Sequence, residues 1–297
     1  MRIELFGLKL PEIKPGDDIA ELIVDAAVEQ AGGVMEGDVI VVASKVISKA
    51  EGLLIKIDDV KPSRRAMEIS EKTGINPKVV QIVLDNSDKL LFVIPVLKLV
   101  EDGSINFDGV AVDSERAHQA VKEVPSMLIV TRGSHIYSDA GIDFSNHPEG
   151  VASIPPEDPD RCAREIRMRI RELTGRDVAV IVSDTEMAPF LGSLDIARGA
   201  SGIEVITKKF GELDIYGKPK FGGIDHTAHE LACAAALLMG QTSEMIPAVL
   251  VRGLKYRRSD GGVASYQLNP EALKRIIKEI VKATIRVVGM RSILSLV

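Results

Sequence analysis

Val178-Ala179-Val180-Ile181-Val182-Ser183-Asp184-Thr185-Glu186 is the stretch on which the reading of the fold turns. Its apolar, mostly β-branched run fits a strand buried on both faces, and it breaks off abruptly in Ser-Asp-Thr. Outward from it, shorter runs predict strands at about 2–6, 37–43, 90–97, 126–131, 203–208 and 246–251, with this one spanning about 177–183. Helical periodicity lies between them. Segment 18–31 opens with Asp18 three residues before Glu21 and stops at Gly32-Gly33, while 159–174 has Asp158 as cap, Pro159 in first position and Gly175 as stop. Further helices are expected at 62–73, 77–87, 224–239 and 270–283, with a short helical patch near 113–122. Strands alternating with helices predict a mixed α/β (α+β) layer structure. The polar stretch 98–124 reads as an inserted segment. A junction near 147–157 would divide an N-terminal lobe, 1–150, from a C-terminal lobe, 151–297.

Composition narrows the function. The 297 residues are 45% hydrophobic and 27% charged, enough apolar material for a large core. Lys and Arg number 37 against 43 Asp and Glu, so the net charge of −6 argues against a general nucleic-acid surface. Aromatic content of 4% without Trp argues against a base-stacking platform. Cys162 and Cys233 are isolated, which excludes a disulfide framework or a zinc knuckle and suits a reducing, cytoplasmic compartment. The longest apolar run, Leu90 to Leu97, contains Pro95 and is too short for a bilayer span. No membrane partner is expected.

Four clusters can carry chemistry. In Ala43-Ser44-Lys45-Val46-Ile47-Ser48-Lys49, two lysines four apart follow a buried strand, where they can hold phosphate as point charges or simply be solvated. Asp139-Ala140-Gly141-Ile142-Asp143-Phe144-Ser145-Asn146 offers oxygen ligands for a hard divalent cation, or an Asx-rich turn. Ser183-Asp184-Thr185 lies at the carboxyl end of a strand, where α/β proteins collect ligands, although it could also cap the next element. Met239-Gly240-Gln241-Thr242-Ser243-Glu244-Met245-Ile246 is a small and polar loop that a nucleotide could approach closely. His226 and His229 are read as a helix N-terminus rather than a zinc pair, and the arginines of 159–174 as a solvated charged face. The chain has neither a P-loop nor a GxGxxG motif.

In order and spacing these clusters resemble the coenzyme F420-0:L-glutamate ligase (gamma-glutamyl ligase) family. The likeness begins at Leu10-Pro11-Glu12-Ile13-Lys14-Pro15-Gly16, runs through 37–52 and 139–143, and resumes at Pro155-Pro156-Glu157-Asp158, Ile181-Val182-Ser183-Asp184-Thr185 and 246–254. It implies two unlike lobes in an intertwined homodimer. It also implies a GTP-dependent ligase using Mn or Mg together with K, in which the carboxylate of a phosphorylated deazaflavin becomes an acyl phosphate that the amine of L-glutamate attacks. By resemblance, the metal ligands fall on Asp143, Asp184, Thr185 and Gln241. The nucleotide contacts fall on Leu10, Pro11, Glu12, Ile13, Ser44, Lys45, Lys49, Asn146, Met239, Gly240, Gln241, Thr242, Ser243, Glu244, Met245 and Ile246. Asp143, Asp184, Lys45 and Lys49 are the expected catalytic groups.

The chain departs from the family pattern after Asp184-Thr185. The family usually continues with Gly-Arg and a further arginine, whereas here Glu186-Met187-Ala188-Pro189-Phe190-Leu191-Gly192 has none, and Arg198 is the candidate replacement. The segment 98–124 and the tail 284–297 are further additions. Two other functions therefore stand beside the first: a paralogous ligase acting on a different carboxylate, and a non-catalytic protein that binds a nucleotide or deazaflavin.

Overall fold

The local signals written into the sequence are mostly obeyed. A computed structural model describes residues 2–107, 109–187, 192–267 and 270–290. Asp108, the stretch 188–191 of the arginine-free segment and the tail from 291 lie outside the described residues. In chain order the elements are β1 (Glu4–Leu8), α1 (Ile19–Ala31), β2 (Val39–Ala43), α2 (Ser44–Ala50), β3 (Leu54–Lys56), α3 (Arg64–Thr73), α4 (Pro77–Asp85), β4 (Lys89–Ile94), α5 (Val96–Glu101), α6 (Ser114–Glu123), β5 (Met127–Arg132), β6 (His135–Ser138), β7 (Val151–Ser153), α7 (Pro159–Thr174), β8 (Ala179–Met187), β9 (Ser193–Ser201), α8 (Thr227–Met239), β10 (Ala248–Arg252) and α9 (Pro270–Val288). Asp18 caps α1 by accepting from the Ala20 and Glu21 amides, Asp158 caps α7 at the Arg161 amide, and the expected left-handed glycines, Gly32 and Gly175, end both helices. The fold is mixed α/β, as the alternation of strands and helices predicts.

The main sheet has the order β1-β10-β2-β8-β9 and draws strands from both sides of the 147–157 stretch. Only β2 and β8 run parallel within it; the remaining neighbours are antiparallel. On one face Ile40, Val42, Val180, Val182 and Leu250 pack with Ile23 and Ala27 of α1 and with Ile166 and Ile170 of α7. Helix α8 packs against β9, β10 and β1 on the opposite face, where Gly7 leaves room for the Ile246 side chain. A smaller antiparallel sheet, β4-β5-β6, is covered by α3 and α4 through Ala66, Val80, Val83, Leu128, Val130 and Tyr137. These layers belong to a compact unit of residues 1–265, and residues from Tyr266 onward, with α9, form a second. No helix among the described residues is long and apolar enough to cross a membrane.

Two expectations are corrected. The strand expected at 203–208 does not form. The hairpin partner of β8 is β9, whose sequence Ser193-Leu194-Asp195-Ile196-Ala197-Arg198-Gly199-Ala200-Ser201 is too polar and small to read as a buried strand. It ends at Gly202 (φ +84), while Ile203 and Val205 are buried outside the ladder. The strand expected at about 177–183 runs on through Asp184, Thr185 and Glu186 to Met187, because β9 continues to pair with it, while Lys45 and Lys49, expected just past a buried strand, stand one turn apart on α2, directly after β2.

Candidate active site

The topology carries most of the site to one edge of the sheet. Because β2 and β8 are parallel, with Ala43 opposite Ser183 at the last paired position, the exit of β2 places Ser44 beside Asp184, while β8 itself runs on to Met187 paired with β9. Strand β10 runs the other way, so its entry loop, 240–247, reaches the same edge, where the Ala43 amide donates to the Pro247 carbonyl (2.9 Å). Strand β1 exits beside it, since Leu8 pairs with Ala248, and continues into 10–13. The fifth contribution, 138–146, leaves β6 and is held by paired hydrogen bonds between the Asp143 and Ser153 backbones (3.1 and 2.9 Å). Together they enclose a cavity of about 600 Å³.

Lys45, Lys49, Asp143 and Asp184 all line this cavity, as do Thr185 and Gln241. So do Leu10, Pro11, Glu12, Ile13, Ser44, Asn146, Met239, Gly240, Thr242, Glu244, Met245 and Ile246; of the expected residues only Ser243 stands outside the lining. Gly240 (φ 65, ψ −171) holds a backbone conformation that essentially only glycine adopts. Asn146 (φ 56) and Met245 (φ 58) hold left-handed backbone that side chains disfavour, strain that tends to cluster at ligand sites.

On the rim built by α2 and 138–146, Lys45 Nζ lies 2.7 Å from Asp143 Oδ2 and donates to Ser145 Oγ at 2.6 Å. Asp143 Oδ1 accepts from the Ser145 amide and hydroxyl, both at 2.7 Å. Burial alone would raise the Asp143 pKa, but Lys45 and the Ser145 donors hold it below the usual carboxyl value. Lys49 Nζ donates to the Asn146 carbonyl (2.7 Å), and the Asn146 amide donates to the Thr242 carbonyl (3.1 Å), tying this rim to the 240–247 loop. Burial and the neighbouring Lys45 charge lower the Lys49 pKa.

The β8–β9 hairpin builds the other rim from groups the sequence reading largely missed. Asp184 Oδ2 lies 4.0 Å from Arg198 Nε, and burial pushes its pKa up to about 6, with the Glu186 and Asp143 charges adding to the rise. Arg198 is 2% exposed, donates to Glu186 Oε1 (2.5 Å) and to the Ile136 carbonyl (2.9 Å), and stacks 3.6 Å over the Tyr137 ring. Glu186 also accepts from the Ser138 amide and hydroxyl. Across the hairpin Thr185 pairs with Asp195, whose Oδ1 accepts from Thr185 Oγ1 at 2.7 Å and from Gln241 Nε2 at 3.2 Å. Asp195 lies ten residues beyond Thr185, so only knowledge of the hairpin register could have brought it into the site.

The donor set suits a hard divalent cation. Two carboxylates, Asp143 and Asp184, line one cavity, where the Asp143 charge adds to the rise of the Asp184 pKa, and the oxygens of Thr185 and Gln241 stand 3.2 Å apart. Among the described residues no trio of His, Cys, Asp or Glu gathers to hold a metal unaided. A cation here would draw on the hydroxyl and amide oxygens and on substrate phosphate, the usual habit of Mg. The discounted pair behaves structurally: the His226 and His229 rings stack at 3.5 Å and His229 Nδ1 accepts from the Ala197 amide (2.9 Å). Three arginines of α7, Arg161, Arg167 and Arg169, are engaged with Glu165, with Asp177, and with Asp18 and Glu172 respectively.

Residues 7–253 match the family model described as F420-0:Gamma-glutamyl ligase. The chain is 39% identical over 256 residues to the coenzyme F420:L-glutamate ligase of Methanopyrus kandleri, covering 86% of this chain and 88% of that protein. It is 37% identical over 267 residues to the ligase of the same name from Methanothermobacter thermautotrophicus, covering 89% of this chain and 94% of that protein. The Archaeoglobus fulgidus ligase of that name is 37% identical over 256 residues, covering 86% and 89% respectively.

Proposed function

The chain belongs to the F420-0:Gamma-glutamyl ligase family, and from that premise we propose that it joins L-glutamate to the carboxylate of a phosphorylated deazaflavin precursor of coenzyme F420, using GTP. The observation that carries the reading is the convergence of Lys45, Lys49, Asp143, Asp184, Thr185 and Gln241 on one cavity from separate stretches of chain.

The chemistry requires such equipment. A carboxylate does not yield to an amine at neutral pH until one of its oxygens becomes a leaving group. In the proposed sequence a carboxylate oxygen of the acceptor attacks the γ-phosphorus and GDP departs. The glutamate amine then attacks the acyl carbon, loses a proton, and phosphate leaves. Little covalent work falls to the protein, so positioning and charge neutralisation dominate. Asp143, Asp184, Thr185 and Gln241 would hold Mn or Mg, which when bound offsets the charge of the phosphates. Lys45 and Lys49, fixed one turn apart on α2, present ammonium groups to phosphate oxygens. The loop 239–246 and residues 10–13 form the walls for the nucleotide. A requirement for K and assembly as a homodimer belong to the same proposal.

Incubation with GTP, Mn, K, L-glutamate and the F420 precursor should yield GDP and a glutamylated product in equal amounts, read by mass spectrometry. GDP without product from that precursor would remove the acceptor assignment. One observation favours a second reading, a ligase of the same chemistry acting on a different carboxylate. Arg198 is buried and neutralised by Glu186, so it offers no exposed guanidinium to a substrate phosphate in place of the missing arginines. Product formation from another carboxylate, with none from the F420 precursor, would establish it.

A further inference from the structure

We infer that Asp195 is a positioning residue that turns Thr185 and Gln241 into a pair of oxygen donors facing the cavity. The inference rests on the cation-dependent ligase reading above and assigns a role to a residue outside the expected ligand set.

Proton counting makes the argument. An ionised carboxylate accepts hydrogen bonds and donates none. Asp195 is 6% exposed, and its Oδ1 has two neighbours, Thr185 Oγ1 at 2.7 Å and Gln241 Nε2 at 3.2 Å. Both must donate to it. The single hydroxyl proton of Thr185 is then committed to Asp195, the nearer and charged partner. The Gln241 amide cannot turn over either, since that would set its oxygen against the carboxylate.

Thr185 Oγ1 and Gln241 Oε1 nevertheless stand 3.2 Å apart, with no proton left to join them. Two acceptor oxygens in contact repel unless a cation lies beside both. Adjacent ligands of an octahedral cation at ~2.1 Å are separated by ~3.0 Å, close to this spacing. A second observation points the same way. Ser183 lies two residues before Thr185 on the same face of β8, is 1% exposed and lines the cavity, yet its Oγ has no hydrogen-bond partner among the described residues. The row of Ser183, Thr185 and Gln241 therefore has surplus oxygen lone pairs, and Asp195, which lines the same cavity, is the acceptor that fixes the direction of Thr185 and Gln241. Outer partners of this kind hold metal ligands in the binding orientation.

The test is Mn binding to the metal-stripped full-length protein without nucleotide or glutamate, followed by electron paramagnetic resonance. Asp195→Ala should raise the Mn dissociation constant about 10- to 100-fold. Asp195→Asn should raise it far less, because the amide oxygen still accepts from both neighbours. In a mutant cycle on the Thr185→Ala/Gln241→Ala background, Asp195→Ala should add almost nothing to the loss already present, since a residue acting through two others has no effect once both are gone. Circular dichroism and urea unfolding report the fold of each variant. Should the alanine variant not fold, Asp195→Ser, which can hold only one neighbour, should show an intermediate loss.

Unchanged Mn affinity in Asp195→Ala, alongside loss in Asp143→Asn, would overturn the inference and leave the cation reading standing. Additive losses in the cycle would also overturn it. Native Mn affinity in both Asp143→Asn and Asp184→Asn would remove the cation reading itself, and this inference with it.

Discussion

Two rims face each other across the cavity. On one, Lys45 and Lys49 stretch from α2 to Asp143, Ser145 and Asn146, and the Lys45–Asp143 side chains keep 24% and 36% of their exposure. On the other, Arg198 is sealed behind β8 and β9, stacked on Tyr137 and bonded to Glu186. Both rims pair a cation with a carboxylate. The open rim can release its partners to a ligand at small cost, because water already screens the charges. The closed rim cannot, because a charge left alone there has no water to turn to. One rim is built to exchange partners and the other to stay fixed.

The sharpest way to break this contrast is to remove the buried cation. Arg198→Met leaves Glu186 uncompensated beside Asp184 and should lower stability by about 3–5 kcal/mol, measured as a shift of the urea midpoint. A loss below about 1 kcal/mol would mean that the pair is solvated and that the rims are alike. The corresponding change on the open rim is Lys45→Met. It should leave the unfolding free energy within about 1 kcal/mol of native, while kcat/KM for GTP-dependent ligation falls about 10²- to 10³-fold, the scale found when one preorganised charge-stabilising donor is lost. A large stability loss with little change in rate would reverse the assignment of roles.

The same contrast explains what the sequence could disclose. The open rim is made of local signals. Two lysines at helical spacing follow the β2 run Val39–Ala43, and an Asp-Gly-Asp-Asn stretch precedes Pro148, so both could be singled out without knowing how the chain returns. Asp184 and Thr185 were legible for a related reason, as polar residues following a wholly apolar run, although the strand continues through them to Met187. The closed rim is a product of pairing. Asp195 meets Thr185 only through the antiparallel register of β8 and β9, and Arg198 reaches Glu186 because a register shift after Val182 leaves Arg198 unmatched in the ladder. Its strand carries Asp, Arg, Gly and two Ser, and no periodic apolar pattern marks it as part of a sheet. Hence the expected strand fell on Ile203 and Val205, which are buried but lie in irregular chain. The capped helices were readable from start to stop because their signals lie within one turn of each end, as at Asp18 and Gly32.

The smallest of these effects probes Asp184, where the two rims meet. Burial, together with Glu186 and Asp143, lifts its pKa from the ordinary carboxyl range to about 6. Below about pH 3 the group is protonated in both folded and unfolded chains and contributes no pH dependence. As pH rises toward 6 the unfolded chain loses this proton first, so the folded state is progressively disfavoured, and above 6 the penalty is constant. Replacing the ionising oxygen removes that penalty. In the absence of divalent cation, Asp184→Asn should therefore gain stability relative to the native chain by about 1–3 kcal/mol between pH 4.5 and 7. Asp139, whose burial also raises its pKa to about 6, titrates in both proteins and cancels from the difference. Adding Mn at pH 7 should reverse the order, because the native carboxylate gains a cation that the amide holds poorly. A native-minus-variant difference independent of pH would show that Asp184 is solvated like the open rim, and the division between the rims would then lie beyond it, at Glu186 and Arg198.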